Sequence, residues 1–413
     1  MVNIKLIKKF RDAVEKEVKQ NILYFWANNS LDNENGGFYG EIGNDRKINK
    51  EATKGLILNT RILWTFSAAY RLFEEEEYSK IARRAYEYLL EFFWDNVYGG
   101  GYWLLDHRGF PVNPKKQIYG QAFMIYSLAE YYQATGDKES LDKAIEIYRL
   151  VEENSADPLY KGYIEACSRD WHVTDDLKLS KRDLNEKKSM NTHLHILEAY
   201  TNLYRVWPDS NLREKLKELI EVICEKILDT KTFHFKLYFD EDWNSKSDLI
   251  SFGHDIEGSW LLYEAAQVLK DRNIIEEIST ISIKMAEVTL EEGLAEDGGI
   301  VYEADSKGNV DEDRHWWPQA EAVVGFINAY QLTRQDIFID KAYEVWQFIN
   351  KYLLDREYGE WYWKVSKDGK PDLTISKVNF WKTPYHNGRA CFEAMQRLNK
   401  IYQEMTGNES AAI

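Results

Sequence analysis

The stretch Ile118-Tyr119-Gly120-Gln121-Ala122-Phe123-Met124-Ile125-Tyr126-Ser127-Leu128-Ala129, closed soon after by Thr135-Gly136-Asp137, decides the fold class. Ile118, Ala122, Ile125 and Ala129 recur at helical spacing, which predicts a helix over 117–135. Gly136 breaks it and Asp137 can cap a second helix over 138–153, so the two make a helical hairpin. Leu56, Leu63, Phe66 and Tyr70 mark another helix, as do Leu194, Leu197, Leu203 and Tyr204. The periodicity predicts twelve helices, near 3–26, 53–73, 78–95, 117–135, 138–153, 191–207, 211–229, 254–270, 272–291, 316–334, 338–354 and 386–404.

The connections alternate in length. Trp207-Pro208-Asp209 and Arg334-Gln335-Asp336 are short turns like Thr135-Gly136-Asp137, with Asp free to cap the following helix. Long connections carry glycines followed by aromatics: 36–40, 99–103, 298–302 and 359–363, with Phe233–Phe239 playing the same part without glycine. These segments are expected to be short strands, some closed by turns such as Asp368-Gly369-Lys370. Pairs begin near 53, 117, 191, 254, 316 and 386, a repeat of roughly 60 to 75 residues that marks stacked supersecondary units. Six such hairpins argue for a closed toroid of six inner and six outer helices, against an open solenoid. Closure requires the helix over 3–26 to pack with that over 386–404, and both are amphipathic. No linker shows a Pro, Gly or Ser bias, so one domain over 1–413 is expected.

Among the 413 residues 44% are hydrophobic and 30% charged, a globular composition. The net charge of −16 argues against a nucleic-acid or anionic-membrane partner. Charges interrupt the apolar residues at the start, unlike a signal peptide, and no stretch approaches the roughly 20 apolar residues of a membrane helix. Cys167, Cys224 and Cys391 are odd in number and widely spaced, which fits a reducing cytoplasm and neither a disulfide framework nor a zinc site. Of the 14 Trp, 27 Tyr and 18 Phe, core packing accounts for most. Those in glycine-rich segments are a weak hint of a carbohydrate site, since flat rings pack on the C–H faces of sugars.

Four of the eight histidines, His193, His195, His254 and His386, fall at the start of an inner helix after a long connection. In a toroid these helix starts open at one end, so residues distant in sequence converge where the helix dipoles favour an anion. His107, His172, His234 and His315 are expected to be solvated or structural. His193 and His195 diverge by about 200° on a helix, so only one can face the cavity and a shared metal is disfavoured. His254 and Glu257 lie at i, i+3, where a carboxylate can fix a tautomer, and Trp260 follows one step on. Trp317 and Glu321 at i, i+4 set an aromatic platform beside a carboxylate, whereas Trp316 fits the core equally well. Trp381 and Pro384 lead into His386, Tyr119 stands at the start of its own helix, and Arg61 interrupts an apolar run. No phosphate loop, dinucleotide fingerprint or nucleophile elbow occurs, so no cofactor is expected. Neutral imidazoles suit proton abstraction beside a carbonyl, and an arginine suits an enediolate oxygen.

The pieces Leu58-Asn59-Thr60-Arg61-Ile62-Leu63-Trp64, Met190-Asn191-Thr192-His193-Leu194-His195, Gly253-His254-Asp255-Ile256-Glu257, Trp316-Trp317-Pro318-Gln319-Ala320-Glu321 and Pro384-Tyr385-His386-Asn387-Gly388-Arg389 resemble, in this order, the N-acylglucosamine 2-epimerase superfamily, and within it the bacterial cellobiose 2-epimerases. The resemblance spans nearly the whole chain. It implies an all-α (α/α)6 barrel and metal-independent epimerisation of cellobiose-like disaccharides at the reducing glucose. It implies acid/base roles for His254 and His386 at C2, an inward role for His195 near O1 and the opening ring, and enediolate stabilisation by Arg61. Glu257 and Glu321 match carboxylates that position histidines or hydroxyls. Tyr119, Asn191, Trp317 and Trp381 match sugar contacts, and Trp260 also matches. A monomer or weak homodimer is expected. The competing readings are a monosaccharide 2-epimerase or aldose–ketose isomerase, a glycoside hydrolase using Glu257 and Glu321, and a non-catalytic sugar-binding protein.

Overall fold

The computed structural model describes residues 3–407; the remaining ends of the expected 1–413 domain, including Met1 and Val2, lie outside the described residues. Thirteen α-helical segments build the molecule: α1 Ile4–Glu17, α2 Tyr24–Asn29, α3 Leu56–Phe73, α4 Glu76–Tyr88, α5 Ile118–Thr135, α6 Lys138–Asn154, α7 Met190–Val206, α8 Ser210–Val222, α9 Phe252–Leu269, α10 Arg272–Val288, α11 Trp316–Thr333, α12 Asp336–Phe348 and α13 Tyr385–Thr406. A π-helical segment, Val18–Leu23, fuses α1 and α2 into one rod, so the rods number twelve. Single π-turns also end the rods of α4, α8, α10 and α12.

The six helices α3, α5, α7, α9, α11 and α13 each touch the next, and α13 returns to α3. The other rods lie outside, each against an inner partner: α4 on α3, α6 on α5, α8 on α7, α10 on α9, α12 on α11 and α1 on α13. This is an (α/α)6 barrel. The residues explain the two layers. Every residue from Ile118 to Tyr131 of α5 is buried, as an inner helix packed all round requires. On α8 the buried residues are Leu212, Leu216, Leu219, Ile220 and Val222, one stripe facing inward. Asp137 and Asp209 cap α6 and α8, accepting from Ser140 and from Asn211 and Leu212. The third expected cap differs: Gln335 is the N-cap and Asp336 the first helical residue of α12. The ring closes at α1 and α13, where Arg11 bonds Asn399 at 3.3 Å, and the Trp361 indole of the last long connection donates to Glu17 at 2.8 Å.

The strands are shorter and later than the sequence predicts. The glycine–aromatic segments form single bridges, Leu31 to Phe38, Trp94 to Gly101, Leu294 to Ile300 and Leu354 to Trp361. Gly36, Gly37, Gly99 and Gly100 take φ of 76°, 62°, 71° and 68°, and such left-handed pairs interrupt extended backbone. The true strands stand just before the inner helices and pair antiparallel with the next connection: 54–55 with 104–105, 116–117 with 166–167, 188–189 with 238–239, 250–251 with 303–304 and 314–315 with 364–365. A bridge between Ile42 and Val378 completes the circuit. The rim is thus stitched all the way round. Buried lysines fasten it further: Lys54 reaches Asp32 and Lys188 reaches Asp157, both at 2.7 Å, each also bonding a backbone carbonyl in the same turn.

Inner helices touch closely at Gly325 of α11. A Cβ there would stand 2.5 Å from Cγ1 and 2.9 Å from the carbonyl oxygen of Ile256 on α9. Gly325→Ala is expected to cost about 1–3 kcal/mol in denaturant unfolding through overpacking. An unchanged midpoint would mean that the two helices can part without penalty.

Candidate active site

At the end of the barrel where the inner helices begin lies a cavity of about 520 Å³, inside the size range of small-molecule sites. Arg61 from α3, Tyr119 from α5, Asn191 and His195 from α7, His254 and Glu257 from α9, Trp317 from α11, and Trp381 with His386 leading into and starting α13 line it. The inner-helix starts therefore do converge, and the closed ring is what brings α3 and α13 side by side.

His195, His254 and His386 are each oriented through Nδ1. That of His386 lies 2.6 Å from Glu321 Oε1, and that of His195 lies 3.0 Å from Glu198 Oε2. A neutral imidazole that donates Nδ1–H to a carboxylate keeps its lone pair on Nε2. His254 departs from expectation: its Nδ1 meets Ser251 Oγ at 2.8 Å, while Glu257 turns to Arg389 at 2.6 Å. A guanidinium from α13 outcompetes an imidazole on the same helix. The rings of His254 and His386 lie 4.6 Å and 5.7 Å from that of Trp317, so one indole bridges two bases. Burial pushes His254 down to about 3, with the neighbouring His195 adding, and burial, then Arg61 and Arg389, hold His386 well below the usual imidazole range. Both are neutral at pH 7. His193 and His195 diverge as expected. His193 takes the Tyr163 N–H on Nε2 at 2.9 Å and bonds the Ser189 carbonyl through Nδ1 at 2.7 Å, away from the cavity.

Arg61 donates to Tyr119 Oη at 2.8 Å and to the Trp381 carbonyl at 3.2 Å, and its guanidinium packs over Phe123 and Tyr385. Neither of these partners is a carboxylate, no ion pair of Arg61 stands among the described residues, and its Nε has no protein partner. Asn191 Oδ1 and Glu257 Oε2 are likewise buried and unpartnered. A cation without a counter-ion and two free oxygens line a cavity whose other walls are aromatic. Such an arrangement can hold a hydroxyl-rich ligand and stabilise an anion on it.

Two predicted residues stand behind the wall. Trp260 does not line the cavity; its indole donates to Glu321 Oε2 at 3.2 Å. Glu321 does not line it either, and instead holds His386. One residue missed by sequence reasoning organises both. Arg389 is buried among Glu198, Glu257 and Glu321, donating to the last two at 2.6 and 2.8 Å, and also contacts Glu198 and Tyr385. The i, i+3 rule applied to His254 and Glu257 would have found His195 with Glu198 and His386 with Arg389. Glu257, Glu321 and His386 are the one group among the described residues whose ligand-type atoms lie within 4.8 Å of one another, and Arg389 already supplies the cation there.

Of the histidines set aside, His234 is structural, with Nδ1 2.7 Å from Asp255. His315 is not solvated. It stacks on Tyr302 at 3.8 Å and lines the cavity, and burial pushes it down to about 3. It is the N-cap of α11, the same topological place as the four histidines singled out. The segment from Leu177 to Leu184 in the third long connection also covers the cavity, anchored where Asp183 accepts from Tyr238 Oη at 2.7 Å. Nothing in its polar composition marks it.

Residues 37–389 match the N-acylglucosamine 2-epimerase (GlcNAc 2-epimerase) family. The chain belongs to this family. A cellobiose 2-epimerase of Bacteroides fragilis is 48% identical over 93% of this chain and 98% of its own length. One of Dictyoglomus turgidum is 41% identical, over 95% and 100%. The solved cellobiose 2-epimerase of Bacillus thermoamylovorans B4167 superposes with a TM-score of 0.90 at 40% identity, over 94% of this chain and 100% of that one. An N-acylglucosamine 2-epimerase family member with this barrel and these relatives is an isomerase of the epimerase class. No helix among the described residues is long and apolar enough to cross a membrane.

Proposed function

We propose that this epimerase inverts C2 of the reducing-end glucose of β-1,4-linked disaccharides, taking cellobiose to glucosyl-mannose and lactose to epilactose. The observation that carries this reading is the pair His254 and His386, two neutral imidazoles from α9 and α13 packed on one indole in a cavity with an unpaired arginine. The names of the similar enzymes support the disaccharide.

The reducing sugar opens to expose the C1 carbonyl, with His195 serving at O1. One of His254 and His386 takes the C2 proton on Nε2, and the electron pair moves onto the carbonyl oxygen as an enediolate, which Arg61 balances. The other histidine, neutral at the outset, takes up a solvent proton beside the anionic enediolate and delivers it to the opposite face of C2, and the first histidine then releases its proton to solvent. Reprotonation of the same enediolate at C1 gives a ketose as a minor product. Tyr119, Asn191, Trp317 and Trp381 hold the sugar. Glu257 and Glu321 position the reacting groups, with Trp260 behind Glu321. We further propose that the chain works as one catalytic domain, in the cytoplasm, as a monomer or weak homodimer, without metal or nicotinamide. Cellobiose incubated with exhaustively chelated, desalted protein is expected to give glucosyl-mannose at an undiminished rate. Glucose as product would mean hydrolysis, no product would mean binding alone, and a loss restored by a divalent ion would overturn metal independence.

A further inference from the structure

Three buried carboxylates share one guanidinium. Glu198, Glu257 and Glu321 all contact Arg389, and none is more than 3% exposed. Three ionised carboxylates against one guanidinium would leave these four groups with a net charge of −2 in a dry pocket. Two of the three are well satisfied. Glu198 also meets His195 and Tyr385, and Glu321 also meets His386 and Trp260. Glu257 has Arg389 on one oxygen and no protein partner on the other. It alone of the three lines the cavity. A buried carboxylate so poorly served is the place where a shared proton rests.

We infer that Glu257 works as a neutral carboxylic acid, keeping a proton on Oε2 and donating it as a hydrogen bond to a substrate oxygen on the reacting carbons. The proton stays on Glu257 throughout turnover, so no bond to it breaks. Negative charge developing on the enediolate then meets Arg61 and an O–H donor, where an ionised carboxylate would repel it. A carboxylic acid held neutral in an apolar site so that it can donate is an established device. The groups facing Glu257 are His195 and Glu198 from α7, Glu321 from α11, Tyr119 from α5, and Tyr385, His386 and Arg389 from α13. Burial, then Glu321, raises Glu257 to about 7, with Arg389 and His195 opposing.

The role rests on the epimerase mechanism above, but the protonation does not, and the tests separate the two. Infrared difference spectra of the substrate-free wild-type protein between pH 5 and 9 should show, beyond any band that Glu257→Gln also gives through Glu165 and Glu303, a carboxylic-acid carbonyl band that shifts in D₂O and fades with rising pH. Spectra of the wild type and of Glu257→Gln that coincide in this region overturn the inference even if cellobiose is epimerised. In turnover, Glu257→Gln places an N–H donor at the same position and should keep kcat/KM within about tenfold. Glu257→Ala should lose about 10²–10³-fold. Wild-type kcat/KM should decline through the neutral-to-alkaline range, a decline that Glu257→Gln removes. A Gln variant as inactive as Ala, or one that keeps the alkaline decline, overturns the donor role.

Discussion

His254→Asn and His386→Asn should each lower cellobiose turnover by about 10²–10⁴-fold, the ordinary contribution of a general acid or base. Asn keeps approximate shape while removing the basic nitrogen. Binding should weaken far less, because the platform proposed for the sugar body is Trp317 and Trp381, which line the same cavity. In D₂O the wild-type enzyme should place deuterium at C2 of the product. The pH dependence supplies an internal check. An ordinary imidazole at 6.5 would be almost wholly protonated at pH 5, costing about thirtyfold in kcat/KM. His254 is pushed down to about 3 and His386 also lies far below its usual range, so the acid limb should not begin until well under pH 6.5. Near-normal epimerisation by either Asn variant, or no solvent deuterium after prolonged reaction, would replace the two-base scheme with a shielded single base or a hydride route.

Arg389→Met should be the most destabilising single change at the site. It leaves Glu198, Glu257 and Glu321 buried without their common cation, and breaking buried pairs in this way costs about 3–5 kcal/mol. Denaturant unfolding measures it directly. Adding Glu198→Gln to Arg389→Met should recover part of the loss, because Glu198 is the carboxylate that Arg389 holds ionised and one less buried charge then needs a partner. A loss below about 1 kcal/mol, or no recovery in the double variant, would mean that the four groups are not coupled. Activity should vanish as well, since Glu321 orients His386 and Glu198 orients His195.

The barrel was legible because helix periodicity and connection length are local signals. Ile118, Ala122, Ile125 and Ala129 lie within four turns of one another, and Asp137 caps a helix that begins at the next residue. The convergence of Arg61, His195, His254 and His386 followed from counting hairpins, since only a closed ring joins first and last. What stayed hidden depends on partners far apart in the chain. His254 and Glu257 share a helix face, yet Glu257 belongs to Arg389, which no local spacing reveals. Trp260 is expected among the sugar contacts from the family resemblance, and it is Glu321 on the next helix that claims its indole. His315 and the cover over 177–184 were missed for a related reason. Polar residues in a long connection look solvated until the neighbouring strand, here 364–365 or 238–239, folds beside them.

The seam between α13 and its neighbours α1 and α3 sets the order in which the enzyme can become active. Every other inner neighbour lies one repeat away, whereas Leu56 and Tyr385 open helices at opposite ends of the chain. Closing a loop about five times longer costs roughly 1.4 kcal/mol more in chain entropy, so local pairs are favoured first and the seam last. His386 and Arg389 stand on the helix that makes this final join. Most of the helical backbone can therefore be in place before His386 and Arg389 reach the proposed site, and chain entropy makes the contact that completes it the last one favoured.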